Sequence, residues 1–235
     1  MTPTHFGALV FEWQAMDAIG PFDLLNSSSK TILGYAQKHG AVTQETLDRA
    51  PDFIFHHIAE DLKPVSLLSS SITIVPTDTV DDCPELDHLL IGGPIPETFK
   101  LPQKYLDFIS RHHEAGKTIF TTCTGAAVLA STSILDRKNA TVNNLEYNWI
   151  KEAYPKVKWT REKKWVVDGN IWTGSGALAG MDMISQCILN NFGLDVLTKE
   201  AMGMDYKPRD IDGMLTVLPK RYDGEGKQIS THVFP

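Results

Sequence analysis

The sequence has little cysteine and no cysteine pattern. Cys83, Cys123 and Cys187 are an odd count at unrelated spacings in a chain of 235 residues. That argues against a disulfide framework and fits free thiols in a reducing compartment, so a cytoplasmic protein is expected. No Cys-x-x-Cys or His-x-x-x-His pair occurs. His56-His57 and His112-His113 are adjacent pairs whose side chains would diverge on a strand, so no metal site is expected. Lys/Arg-rich runs are absent, and the net charge of −7 argues against a nucleic-acid surface. No apolar run approaches the length of a membrane span, and no membrane association is expected. Met1–Phe6 lacks the basic region and apolar core of a secretory signal.

What is present is ordinary globular material. With 42% hydrophobic and 22% charged residues, the chain can bury a sizeable core in one large α/β domain or two small ones. His5–Phe11 reads as a first strand, Glu12–Gly20 as a loop carrying Asp17, and Pro21 as part of the first turn of a helix through Leu24 and Leu25. Residues 26–51 hold an interruption at Ser27–Ser29 and two short helices, Thr31–Gln37 and Thr43–Ala50, which elaborate the fold without forming a separate domain. Phe53–Ile58 reads as a strand, Val65–Leu68 with Ser71–Val75 as a hairpin or two short strands, Thr77–Pro84 as a loop, and Leu86–Ile91 as a strand running into Gly92-Gly93-Pro94. Pro102–Ala115 is helical. Ala140–Asn143 is a short strand, Leu145–Tyr154 a helix, and Val157–Thr160, Lys164–Val167 and Ile171–Thr173 are strands, the last two joined by an Asp168-Gly169 turn. Gly174-Ser175-Gly176 then opens a long helix, Ala177–Phe192. Strands alternating with helices predict an α/β fold with a mostly parallel sheet covered on both faces. Residues 1–204 are expected to be one domain, followed by a tail or arm over 205–235.

The stretch Thr118–Ile134 organises the chemistry. Its first five residues are β-branched or aromatic, as in a buried strand, and from Ala126 the pattern turns to helix. Cys123 stands where one pattern gives way to the other, and Gly125 permits a tight turn and close packing of the new helix. Buried free cysteines commonly serve as apolar filler. A strand–Cys–helix junction, by contrast, is a thiol version of the nucleophile elbow, and the helix dipole there is expected to make Cys123 more acidic than a free thiol. Gly92-Gly93 is either a simple turn or a pair of backbone N–H groups aimed at a ligand. The loops carrying Asp17, Gly92-Gly93, Cys123 and Ser175-Gly176 all fall at the carboxyl edge of the expected sheet, where sites of such folds lie.

Three separated patches, Asp17-Ala18-Ile19-Gly20-Pro21, Leu89-Leu90-Ile91-Gly92-Gly93 and Cys123-Thr124-Gly125-Ala126, resemble the ThiJ/PfpI superfamily. A fourth, Trp172–Asp182, is similar to the segment that closes the pocket in that family. The resemblance spans about residues 5–195 and implies a class I glutamine-amidotransferase-like, flavodoxin-type fold. It is strongest toward the isocyanide (isonitrile) hydratase branch. It implies Cys123 as nucleophile, Asp17 as the carboxylate shuttling a proton beside the sulfur, and the N–H groups of Gly93 and Thr124 as an anion hole. The Thr124 hydroxyl would orient substrate or water, and Gly92, Asn143, Ser175 and Gly176 would contact substrate. Regulators with an added helix-turn-helix domain share much of the pattern, and no such domain is expected here. Glyoxalase-III-like and peptidase-like members carry a histidine directly after the nucleophile, where this chain has Thr124. Many relatives carry Thr-Thr-His where this chain reads Thr141-Val142-Asn143. The resemblance therefore implies a cofactor-independent hydratase or hydrolase of a small electrophile, assembled as a homodimer. A lyase or deglycase of 2-oxoaldehydes and a non-enzymatic cysteine redox sensor remain as alternatives.

Overall fold

The apolar runs that open the chain become the centre of a parallel sheet. The structure, a computed structural model, describes residues 2–69 and 71–209. Thr4–Leu9 forms β1 and leads through a 3₁₀ turn, Ala15–Asp17, into α1, Ile19–Ser28. Two further helices follow, α2 (Lys30–Lys38) and α3 (Gln44–Arg49), each with a side-chain cap, Ser29 and Thr43. Next come β2 (Phe53–Ala59), the short pair β3 (Val65–Ser66) and β4 (Thr73–Ile74), β5 (Asp78–Thr79), β6 (His88–Ile91) and α4 (Gln103–Glu114). The elbow strand is β7 (Thr118–Thr122), followed by α5 (Gly125–Ser131). After β8 (Asn139–Ala140), α6 (Tyr147–Ala153) and β9 (Lys158–Trp159) come the hairpin strands β10 (Trp165–Asp168) and β11 (Ile171–Gly174). The helices α7 (Ala177–Phe192) and α8 (Leu194–Met204) complete the described fold.

The main sheet has the order β10-β11-β7-β6-β1-β2-β5, parallel except for β10. From β1 the chain steps outward to β2, whereas from β6 it steps the opposite way to β7 and on to β11. Right-handed crossovers in opposite directions put α1 on one face and α4 and α5 on the other. The α7 and α8 helices return to pack on α1. The direction reverses between β1 and β6, so the crevice beyond their carboxyl ends is the position where such sheets bind ligands. Buried Phe6, Leu89, Leu90, Ile119 and Phe120 fill the sheet's centre, and Phe120 lies 5.6 Å from the Trp172 ring.

Most expected elements are present, with two differences. The loop expected at Thr77–Pro84 contains β5, which pairs with the open edge of β2. Only Asn139–Ala140 of the expected strand Ala140–Asn143 is a strand, and it pairs with β9 outside the main sheet. The Thr141 N–H instead donates to Thr173 Oγ1, and beyond it the chain turns Asn143 toward the elbow. Of the expected 205–235 tail, only 205–209 fall within the described residues. There Arg209 and Tyr206 bond the buried carboxylate of Asp182. Among the described residues no helix is long and apolar enough to cross a membrane.

Candidate active site

Asp17 ends the 3₁₀ turn after β1 and is fully buried. Its main-chain carbonyl accepts from Thr122 Oγ1 at 2.9 Å, which ties the turn to the last residue of the elbow strand. One carboxyl oxygen, Oδ2, accepts the Gly93 N–H at 3.0 Å, and the other, Oδ1, is buried without a partner. Burial pushes the Asp17 carboxyl up to about 7 from an ordinary 3.8, against the opposing pull of the Gly93 N–H. An acid half-ionised near neutrality with one bare oxygen can accept and return a proton.

Cys123 has φ +55, a left-handed conformation that a non-glycine residue holds only under local strain of about 1–3 kcal/mol. The surroundings fix it: the Cys123 N–H donates to the Gly174 carbonyl at 3.0 Å, extending the β7–β11 ladder by one residue. The Asn143 amide Nδ2 donates to Cys123 Sγ at 3.1 Å, and Asn143 Oδ1 is held by the Leu145 N–H at 2.8 Å. The expectation of an acidified thiol is not met. Burial, then the nearby Asp17 carboxylate, pushes Cys123 up to about 11, and the Thr124 N–H and Asn143 amide offset only part of this. The reason is geometric. The α5 helix has seven residues and brings a modest dipole, while the sulfur is shut away from water next to an acid.

Gly93, Thr124 and Asp17 crowd one another. A Cβ on Gly93 would stand 2.7 Å from Thr124 N and 2.9 Å from Asp17 Oδ2, so only glycine fits there. Gly125 is equally constrained, since a Cβ there would meet the Gly92 carbonyl oxygen at 2.9 Å. Two groups with expected roles have partners within the protein. The Gly93 N–H is committed to Asp17 and so is not free as an anion-hole donor. The Thr124 hydroxyl donates to the Pro94 carbonyl at 2.6 Å and holds the glycine loop. Gly92 packs on Trp13. The Ser175 N–H donates to the Lys164 carbonyl at the base of the loop, and Gly176 borders Asn143, with its Cβ position 3.9 Å from Asn143 Nδ2. Sequence reasoning missed Thr122 and the Pro94 carbonyl. Both read as plain strand and turn residues, and only the tertiary fold gives them partners.

Cys123 is 9% exposed, so a reactant must reach it end-on. A cleft of about 150 Å³ borders the next residue, Thr124, and is lined also by Pro94, Phe99, Val128 and Tyr154; neither Cys123 nor Asp17 contributes to its wall.

The chain is 28% identical over 207 residues to the isonitrile hydratase of Pseudomonas putida, covering 87% of this chain and 79% of that protein. It is 25% identical over 128 residues to the HTH-type transcriptional regulator GbdR of Pseudomonas aeruginosa, covering 54% of this chain and 35% of the regulator. Among solved structures, a ThiJ/PfpI family protein from Pseudomonas syringae superposes with a TM-score of 0.70 at 20% identity, over 89% of this chain and 78% of that one. Drosophila melanogaster DJ-1beta superposes with a TM-score of 0.67 at 15% identity, over 87% and 99%. Residues 13–189 match the DJ-1/PfpI family. That span runs from the loop before Asp17 through the elbow and into α7, and the chain belongs to the DJ-1/PfpI family.

Proposed function

We propose that the protein is a cofactor-independent hydratase that adds water to a small isocyanide, using Cys123 as nucleophile and Asp17 as its proton acceptor and donor. The observation that carries this reading is the bare Oδ1 of a buried acid, raised to about 7, beside a thiol raised to about 11. Such a pair rests as thiol and carboxylate above neutrality, and the carboxylate takes the proton only as the sulfur attacks. The sulfur bonds the isocyanide carbon, R–N≡C, while the Cys123 proton passes to Asp17. Asp17 then delivers that proton to the same carbon, giving a thioimidate, R–N=CH–S–Cys123. Water adds to the imidate carbon, the C–S bond breaks, the thiol is restored, and R–NH–CHO leaves. The sum is isocyanide plus water to N-substituted formamide. A linear isocyanide group is narrow enough to reach a sulfur this enclosed. The likeness to the Pseudomonas putida isonitrile hydratase supports the same reading.

The test incubates the protein with a panel of alkyl and aryl isocyanides and follows formamide by mass spectrometry. Turnover whose kcat/KM rises through pH 7, with that limb lost in Asp17→Asn, is the expected result. Conversion of methylglyoxal to lactate with no isocyanide turnover would replace this reading with a 2-oxoaldehyde lyase. Selective peroxide oxidation of Cys123 without any turnover would replace it with a redox sensor.

A further inference from the structure

A second cluster of reactive side chains lies at the β2–β5 edge of the sheet and shares no residue with the elbow. His56 on β2, Asp78 on β5 and Cys83 in the following turn each present one ligating atom, and these atoms all lie within 4.8 Å of one another. We propose that His56, Asp78 and Cys83 bind a divalent cation of the zinc class, with the fourth position left for water.

The donor set is one nitrogen, one oxygen and one sulfur, the mixture that a borderline-soft tetrahedral ion takes and that calcium or magnesium does not. One carboxylate and one thiolate balance a double positive charge. Ligand atoms around tetrahedral zinc stand roughly 3.4 Å apart. His56 Nδ1 and Asp78 Oδ2, now 2.9 Å apart, would therefore open by about half an ångström, a side-chain adjustment. The donors are already held by hydrogen bonds, as ligands of metal sites are. His56 Nε2 is hydrogen-bonded to His5 Nδ1 at 2.9 Å, which leaves Nδ1 for the ion. Thr77 Oγ1 donates to Asp78 Oδ2 at 2.6 Å. The Cys83 N–H donates to the Thr79 carbonyl at 2.9 Å, in a turn that Thr79 and Asp82 close with their side chains. The His56 side chain is 8% exposed and that of Asp78 20%, so the cluster is sheltered yet open to an ion from solvent on the Asp78 side. Ligands that lie on two strands and a turn leave no fixed-spacing motif, which is why the sequence reading expected no metal.

The experiment strips the full-length protein with a chelator under reducing conditions and titrates it with Zn²⁺ in competition with a chromogenic chelator. Co²⁺ serves as a second probe that reports thiolate coordination through its charge-transfer band. One zinc per chain and a cobalt–thiolate band are expected in the wild type and in Cys123→Ser alike. Cys83→Ser, a near-isosteric change, should abolish the band and weaken zinc at least tenfold, and Asp78→Asn should weaken it comparably. His5→Phe, which keeps the ring and removes the nitrogen behind His56, should weaken zinc by about tenfold. Zinc that binds Cys83→Ser as tightly as wild type overturns the proposal, as does a band that survives Cys83→Ser and disappears in Cys123→Ser.

Discussion

Cys123 at the β7–α5 elbow and Cys187 inside α7 meet closely similar immediate surroundings. They are 9% and 8% exposed, and each accepts an asparagine amide, from Asn143 at 3.1 Å and from Asn191 at 3.4 Å. Burial pushes both thiols up to about 11. The differences lie elsewhere. Cys187 is one residue of a regular helix, its thiol set by burial and the Asn191 amide alone. Cys123 is held at φ +55 and has the Asp17 carboxyl beside it. A low resting pKa is therefore not what separates the proposed nucleophile from the filler. The nearby acid does so in the proposed mechanism, because it would take the proton during attack and no thiolate need stand ready.

The largest effect should come from exchanging the two sulfurs for hydroxyls. Cys123→Ser is expected to lower isocyanide turnover by roughly a thousandfold or more, as loss of a covalent nucleophile does. Cys187→Ser should leave kcat/KM within about a factor of two, because it reaches neither Asp17 nor the elbow. Equal losses in the two variants would erase the distinction between nucleophile and filler.

The acid can be tested through stability. Its folded value of about 7 lies above the ordinary 3.8, so the stability tied to neutral Asp17 is complete below pH 4 and is lost as the pH rises through 7. Above that, burying the charge costs the fold about 4 kcal/mol. An asparagine side chain in its place would keep an acceptor for the Gly93 N–H and carry no charge. Asp17→Asn is therefore expected to raise stability toward urea by about 2–4 kcal/mol at pH 8 and to change it little at pH 4, while turnover falls roughly 10²–10⁴-fold. A variant destabilised at pH 8 would mean that Asp17 is a structural carboxylate and not a strained functional one.

The sequence carried the fold further than it carried the site. Alternating apolar runs, the Asp168-Gly169 turn and the glycine-flanked start of α7 mark elements that packing only confirms, since local propensity and burial agree there. The β5 strand was hidden because it has two residues, one of them the strand-poor Asp78, and its pairing depends on β2 having an open edge. At the site, the strand–Cys–helix junction and the Asp17 patch were legible as residues, and their protonation was not. A dipole argument looks along the chain. The shift of Cys123 comes from water exclusion and from an acid that reaches it through a different strand's loop. The partners of the Gly93 N–H and the Thr124 hydroxyl were hidden for the same reason. Their partners, Asp17 and Pro94, are fixed by how three loops converge, and no local pattern names them.

The smallest effect, and the sharpest control, lies in the two asparagines. Each amide favours the thiolate of its own cysteine by donating to sulfur, so removing it raises that thiol further. Asn143→Ala should slow iodoacetamide alkylation of Cys123 at pH 9 by about fivefold, corresponding to loss of one hydrogen bond of about 1 kcal/mol. Asn191→Ala should leave the Cys123 rate unchanged. Peptide mass spectrometry reads all three cysteines in one sample, so Cys83 and Cys187 serve as internal references. Asp17→Asn moves the same readout the opposite way: without the carboxylate, Cys123 loses the largest influence raising it after burial and should alkylate at lower pH than in wild type. Two substitutions on either side of one sulfur, with opposite signs, can be produced only by groups that both act on that sulfur. If both variants moved the rate in the same direction, the change would be one of access to the elbow, and the proton pair proposed for Cys123 and Asp17 would have to be given up.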